Sequence, residues 1–379
     1  MKLAINASRA KSGGAKNHLI SVLSNIDPIS YGFDEVHLWI YSDLKESIPK
    51  RSWLHIHSSS FSNQGIFFQL SWELFILYFI LKKRKFNVLL NVDAGSICRF
   101  NPSITMSRDM LAFEPGEISR LGFSLAGLRQ IFLKRIQCSS LKSSVVSVFL
   151  TKYASNVIQN CCGTMPNYKI IPHGVSNNFR NHTKKVPWPN NEVDTIKVIY
   201  ISPIFLYKHQ WNLVRAISQL RSRKFKIELL LVGAGENVAL KKLQKEILTS
   251  DPNNEFVTYL DEVEHNEIPR LLSSSHIFAF ASSCENMPNT LIEAMCMGLP
   301  IACSNKGPMP EILRNAGEYF DPNSPISIRK AIEKIILNSK YREKISRLAI
   351  KYSNDFSWEK SANQLFLALS NLANEYCKK

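Results

Sequence analysis

Short aliphatic or β-branched runs, recurring between longer amphipathic stretches, constrain this 379-residue chain more than any other feature. They fall at residues 3–5, 36–40, 88–92, 145–149, 197–201, 227–232, 256–259, 277–280 and 300–303. Runs this short and this apolar suit strands buried on both faces, and their alternation with helical patterns predicts parallel sheets wrapped by helices, an α/β protein. Residues 181–194, NHTKKVPWPNNEVD, are polar, proline-bearing and without period, which predicts a linker between two comparable halves. In doubly wound sheets a ligand lies beyond the carboxyl ends of the strands, so two such domains facing each other predict a cleft that holds the chemistry.

Composition narrows the partners. With 45% hydrophobic residues the chain buries a substantial core, which excludes a disordered or fibrous protein. Its formal charge of +16 attracts something anionic: phosphates, nucleic acid or a lipid surface. The excess is uneven, since residues 1–180 carry 21 basic and 10 acidic side chains. Eight cysteines, with only Cys161 and Cys162 close in sequence, show neither a disulfide framework nor a zinc spacing, and we expect a reducing cytoplasm. The start, MKLAINASRA, reads as a buried strand without the apolar core of a signal peptide. The longest apolar run, residues 66–81, is interrupted by Gln69, Ser71 and Glu73 and is too short to span a bilayer.

The segment from Ser283 to Pro300 is the richest in chemistry. Pro288 suits a first helical turn, Asn286 a cap, and Gly298 followed by Pro300 a helix end, so the segment reads strand, loop, helix. A helix start presents unpaired amides and a positive dipole end, and the N–H groups near Asn289, Thr290 and Leu291 would cradle a diphosphate. Two carboxylates beside phosphate repel it unless they bind hydroxyls, which assigns Glu285 to a sugar and Glu293 to a ribose. From spacing alone, an ordinary solvated helix start with two surface acids fits as well.

Glu285 and Glu293 separated by seven residues, with Pro288, Glu293-Ala294-Met295, Gly298 and Pro300, resemble the hallmark motif of the retaining GT-B glycosyltransferases, family 4 or group 1. The resemblance implies two Rossmann-like domains facing across a cleft: an acceptor-binding domain over 1–180, the linker 181–194, a nucleotide-sugar-binding domain over 195–357, and a C-terminal helix, 358–379, packing back on the first. It implies that Glu285 and the amides after it contact the donor sugar, that Asn286, Met287, Pro288, Asn289 and Thr290 hold the diphosphate, and that Glu293 binds ribose. Tyr200 to Gln210 is similar to the family's phosphate-neutralising strand and loop, where an arginine and then a lysine are usual. Lys208 matches the lysine, and Ser202 stands in place of the arginine. Gly233-Ala234-Gly235 is too short for a dinucleotide fingerprint and is expected to be a close turn near the nucleotide; Tyr259 and Leu260 stand where the family places base contacts.

In the first half, Ser12-Gly13-Gly14 follows the first strand, where glycines let backbone approach donor phosphate or acceptor, although turns use such pairs constantly. Arg108-Asp109 occupies the place where relatives carry histidine then aspartate, so Arg108 would stabilise leaving-group charge or bind acceptor and Asp109 would orient it or cap a turn. His173, in Pro172-His173-Gly174-Val175, is expected to position rather than catalyse. Residues 66–81 followed by Lys82-Lys83-Arg84-Lys85, and residues 125–136 with Arg129, Lys134 and Arg135, combine apolar faces with cations, which suits an anionic membrane surface and a lipid-linked acceptor. A core helix with a solvated end fits the first of these better.

No two aspartates flank a single residue anywhere, so the acidic metal clamp of many nucleotide-sugar enzymes is absent, and neither metal nor cofactor is expected. The resemblance implies retaining transfer from a nucleoside-diphosphate sugar to a glycan or lipid-linked acceptor, in polysaccharide or O-antigen assembly at the inner face of the plasma membrane. Other readings are a donor-binding partner subunit without transfer, and a basic nucleic-acid binder, which lacks any recognised nucleic-acid-binding signature.

Overall fold

The computed structural model describes residues 1–10, 13–58, 66–120, 122, 124–181, 186–189, 194–235 and 237–378. The chain divides into two compact units, residues 1–174 with 357–379, and residues 175–356. Each is a parallel sheet flanked by helices, the α/β architecture expected from the strand pattern.

The first unit holds β1 (Lys2–Ala7), β2 (Glu35–Ile40), β3 (Leu54–Ser58), β4 (Val88–Asn91), β5 (Ser103–Met106), β6 (Val146–Phe149) and β7 (Tyr168–Ile170), in the order β3-β2-β1-β4-β5-β6-β7. The order reverses between β1 and β4, and a doubly wound sheet opens a crevice at that point. The helix Gly13–Ser24 follows β1, so Gly13 and Gly14 begin it; Ser12 lies outside the described residues. The C-terminal helix Trp358–Cys377 belongs to this unit. Ser357 starts it by accepting from the Lys360 N–H, a side-chain cap worth about 1 kcal/mol, and Phe366 on its buried face meets Phe33 edge-on, centroids 6.3 Å apart. Gly174 is required where these segments cross, because a Cβ there would lie 2.0 Å from the Trp358 nitrogen.

The second unit holds β8 (Ile196–Ile201), β9 (Ile227–Val232), β10 (Val257–Leu260), β11 (Ile277–Phe280), β12 (Ile301–Ser304) and β13 (Glu318–Phe320), in the order β10-β9-β8-β11-β12-β13. Its switch point lies between β8 and β11. Both central strands are buried almost throughout, which explains their unbroken apolar runs.

Three expectations change. The chain passes between units at 174/175, and the described part of 181–194 packs on the second unit: Val186 N–H donates to Ser273 O at 2.9 Å, and the Arg342 guanidinium lies 3.6 Å from the Trp188 ring centroid. Prolines, tryptophan and valine give that stretch apolar area to cover, so polarity alone misread it as free. Residues 182–185 and 190–193 lie outside the description. A disulfide joins Cys138 to Cys162, with Cα atoms 5.2 Å apart, where no bridge was expected. Its partners sit on the helices Leu125–Ser143 and Lys152–Cys162, and a separation of 24 residues carries no local signal of such packing.

The third change concerns residues 66–85. A helical run comprises Ile66–Ser71, a π-helical turn Trp72–Leu77 and Tyr78–Lys83. Gln69 and Glu73 point inward, while Phe68, Leu74, Phe75, Ile76 and Phe79 are exposed. Glu73 is fully buried, accepting from Arg9 Nε at 3.1 Å, Ser8 Oγ at 3.2 Å and Ile97 N at 2.8 Å. The run is a core helix on one face, where Trp72, Leu77 and Leu81 pack in the core beside Gln69 and Glu73, and carries a second apolar face that looks out beside exposed Lys82, Lys83, Arg84 and Lys85. Among the described residues no helix is long and apolar enough to cross a membrane.

Candidate functional site

The switch point of the second sheet brings two loops together. After β8 the chain passes Ser202 and makes a short turn over Leu206–Lys208; after β11 it runs through Ser283 to Glu285. The loops are latched by the Ser283 N–H donating to Tyr207 O at 2.8 Å and by His209 Nε2 with Ser283 Oγ at 3.1 Å. His209 takes a left-handed φ of 52°, which turns the chain from this loop into the helix Gln210–Ser222. Tyr200, buried in β8, donates its hydroxyl to Lys208 O at 3.1 Å, and burial together with Glu285 pushes its phenol well above the usual range, so it stays a neutral donor.

The result is a buried ion pair between Lys208 Nζ and Glu285 Oε1, with side chains 9% and 13% exposed. The ammonium also lies 5.3 Å from the Tyr207 ring centroid and 5.6 Å from that of Phe280, so π faces line its pocket. Behind Glu285, Gly307 adopts φ +56°, and a Cβ there would approach within 3.8 Å of the Glu285 nitrogen.

The helix Asn289–Cys296 starts immediately beyond. Asn286, the cap expected from sequence, does not cap it, and Pro288 is not inside its first turn: Pro288 occupies the cap position itself, with φ −81° and ψ 100°. Proline has no side-chain acceptor and the first turn has no acid, so neither the cap nor the first turn supplies a carboxylate to the positive end of the dipole. The far end closes as expected, with Gly298 at φ 64°, its N–H donating to Met295 O and that of Leu299 to Ala294 O. Asn286 and Met287 are buried in the connecting loop.

Glu293, one turn into this helix, is 7% exposed. His265 Nε2 meets its Oε1 at 3.0 Å, and this hydrogen bond raises the His265 pKa. Glu293 Oε2 is buried with no hydrogen-bond partner among the described residues. A carboxylate oxygen held dry without a donor is costly, and a ligand hydroxyl would satisfy it.

The ends of β9 and β10 complete the wall. Gly233 takes φ +142° and approaches so closely that a Cβ would lie 2.3 Å from Ser202 O. The Gly233 N–H donates to Leu260 O at 3.1 Å, and Tyr259 Oη donates to Gly233 O at 3.1 Å. The glycine loop thus serves close packing of two strand-end loops. Ser202 is buried, its hydroxyl donating to Pro203 O at 3.2 Å.

Gly13, Gly14, Arg108 and Asp109 belong to the first unit. Arg108 Nη1 reaches Ala15 O at 3.4 Å, and its buried Nε has no partner among the described residues. Burial holds its pKa down to about 10, opposed by Asp93. Asp109 accepts the Leu111 N–H at 2.9 Å, the turn-capping role, while burial raises its pKa. Sequence reasoning missed His265, Tyr200, His209 and Gly307 in the second unit, and the Arg9–Glu73 pair in the first. No spacing marks them: His265, His209 and Arg9 act through partners 28, 74 and 64 residues away.

Residues 182–352 match the family described as glycosyl transferases group 1. An O-antigen chain mannosyltransferase B of Escherichia coli is 29% identical over 109 residues, covering 29% of this chain and 29% of that protein. The chain matches between 29% and 51% of the length of the first three curated relatives. Among solved structures, sucrose-phosphate synthase from Thermosynechococcus elongatus superposes with TM-score 0.80 at 14% identity, covering 99% of this chain and 100% of the other. Anabaena HepE in complex with UDP-glucose superposes with TM-score 0.73 at 18% identity, covering 98% and 100%. These superpositions carry the two-sheet GT-B fold. The likeness to the group 1 glycosyl transferases thus lies in the second unit, over residues 182–352.

Proposed function

We propose that the chain transfers a sugar from a nucleoside-diphosphate donor to a glycan or lipid-linked acceptor, with retention and without a metal ion, in surface-polysaccharide or O-antigen assembly. The observation that carries this is the convergence at one sheet switch point of the buried Lys208–Glu285 pair, an uncapped helix start and the unsatisfied Glu293 Oε2. Lys208 and the amides of Asn289, Thr290 and Leu291 face the diphosphate, Glu293 takes ribose hydroxyls, and Glu285 exchanges part of its ion pair for sugar hydroxyls. Naming of one relative as an O-antigen mannosyltransferase, and UDP-glucose bound to HepE, support the donor class and the pathway.

Lys208 and the helix dipole stabilise charge developing on the departing diphosphate, electrostatic catalysis by groups already in place. The acceptor oxygen bonds to the anomeric carbon on the face from which the carbon–oxygen bond to phosphate breaks. The acceptor proton passes to a phosphate oxygen of the leaving group, so no side-chain base is needed. Arg108, with its unsatisfied Nε, is assigned to an anionic group bound by the first unit. An anionic lipid surface is the proposed docking partner of the exposed apolar face beside Lys82, Lys83, Arg84 and Lys85, which leaves the enzyme peripheral on the cytoplasmic side of the membrane.

The test is NMR of donor turnover with a panel of nucleotide sugars. Product of the same anomeric configuration as the donor, at a rate unaltered by EDTA, is the expected result. Inversion would overturn the stereochemistry, and loss with EDTA restored by divalent metal would overturn metal independence. Buried Ser202 in the place of a usual cation favours one second reading, a donor-binding subunit without transfer, and donor hydrolysis by the isolated chain counts against it.

A further inference from the structure

We propose that the edge of the first sheet carries a binding site for a zinc-class divalent cation, built from Glu35, His37 and His55. β2 and β3 run parallel in a register that pairs His37 with His55 and Trp39 with His57. Side chains two apart share a face, so Glu35-Val36-His37 and His55-Ile56-His57 present one carboxylate and three imidazoles on the same side of adjacent strands. One ligand atom from each of Glu35, His37 and His55 lies within 4.8 Å of the others. No ion is present there.

The chemistry of this set is specific. Two imidazole nitrogens and one carboxylate oxygen suit a borderline-soft transition cation rather than calcium or magnesium, and three protein ligands leave a fourth position for water. Tetrahedral bonds of about 2.1 Å place ligand atoms about 3.4 Å apart, so the set needs only a modest closure. Half-buried Glu35, its side chain 40% exposed, and exposed His55 sit at the solvent side of the set, where a change of side-chain rotamer can supply it.

His37 is the buried member, and the two contacts it makes fix the orientation of its ring. Its Nδ1 lies 2.9 Å from His57 Nε2, and its Nε2 lies 3.2 Å from Glu35 Oε2. Without a cation the proton sits on Nε2 and is donated to the Glu35 carboxylate; a metal at Nε2 takes that proton's place, and the single imidazole proton then lies on Nδ1, donated to His57. Metal-bound histidines are oriented by such a second hydrogen bond from their other nitrogen. His57 is itself held by stacking on Trp39, centroids 5.0 Å apart, and Phe86 meets the His37 ring edge-on at 4.9 Å. Lys2 Nζ, 3.2 Å from Glu35 Oε2, is the cation a metal displaces. Because β3 is the edge strand of its sheet, the bound ion clasps that strand to β2.

The site uses none of the residues assigned to the donor. The experiment is calorimetric titration of the full, tag-free chain with Zn2+, alongside visible spectroscopy of the Co2+-loaded protein. We expect one saturable equivalent and tetrahedral cobalt bands in the wild type. His55→Ala and Glu35→Gln, both surface changes, should each weaken binding at least about tenfold and abolish the bands, with nucleotide affinity unchanged. Absence of a saturable equivalent, or binding by both variants as in the wild type, would overturn the site.

Discussion

Replacing Lys208 by methionine removes the only charge facing Glu285 in the contacts described and leaves a carboxylate whose side chain is 13% exposed. Breaking one half of a buried pair costs roughly 3–5 kcal/mol, whereas removing both charges together is often near neutral. The lower end applies here, because Glu285 keeps some contact with solvent, so we expect a loss of about 3 kcal/mol. The second unit spans residues 175–356, a size at which 1 kcal/mol shifts Tm by roughly 2–4 °C, so Lys208→Met should melt roughly 6–12 °C lower. Lys208→Met combined with Glu285→Gln should recover most of that loss, which a double-mutant cycle by differential scanning calorimetry reads directly. Under the proposed donor site, neither the single nor the double variant should gain the stabilisation by nucleoside diphosphate expected of the wild type, because the ammonium assigned to the phosphates is gone from both. A single variant that melts with the wild type, or a double variant whose losses simply add, would refute the coupling of these two side chains.

Gly233→Ala should cost about 2 kcal/mol, read as a Tm loss, because the new Cβ meets Ser202 O at 2.3 Å on a backbone at φ +142°; unchanged melting would contradict that packing. His265 has its pKa raised first by the hydrogen bond to Glu293, so its contribution is fully present below the unfolded value and is lost as pH rises through the folded one. The fall in Tm between about pH 6 and pH 8 should therefore be smaller in His265→Ala than in the wild type, and an equal fall would count against the pair. Vesicles rich in anionic lipid should carry the wild type in flotation and release the double variant Phe75→Ser, Phe79→Ser; a wild type that stays behind would sink the membrane surface.

Long buried strands were legible in the sequence because unbroken apolar runs have few other uses; all nine expected runs coincide with strands. β3, β5, β7 and β13 were missed: they are three to five residues long, and LHIHS and SITM carry polar or small residues that sheet pairing accommodates. Residues 66–83 misled through composition, since their apolar side chains go to both sides: Trp72, Leu77 and Leu81 enter the core beside buried Gln69 and Glu73, while Phe68, Leu74, Phe75, Ile76 and Phe79 face out. That Glu285, Glu293 and Lys208 would come to one switch point was legible because strand, loop and helix-start signals surround them. His265 and the His209–Ser283 latch were not, because each depends on a contact more than 25 residues away in the chain, 28 for His265 to Glu293 and 74 for His209 to Ser283.

The most direct measurement is calorimetric titration of nucleoside diphosphates into the wild type and Glu293→Ala. The buried Oε2 has no partner among the described residues and is assigned to a ribose hydroxyl in the proposed site; a hydrogen bond to a charged group contributes about 1.5–3 kcal/mol, roughly a tenfold or greater change in affinity. We expect at least one nucleoside diphosphate to bind the wild type at one equivalent and to bind Glu293→Ala at least about tenfold more weakly, while the matching 2′,3′-dideoxy nucleotide binds both proteins alike. Equal affinity of both proteins for every nucleotide, or no binding to either, would contradict a donor site between Glu285 and Glu293.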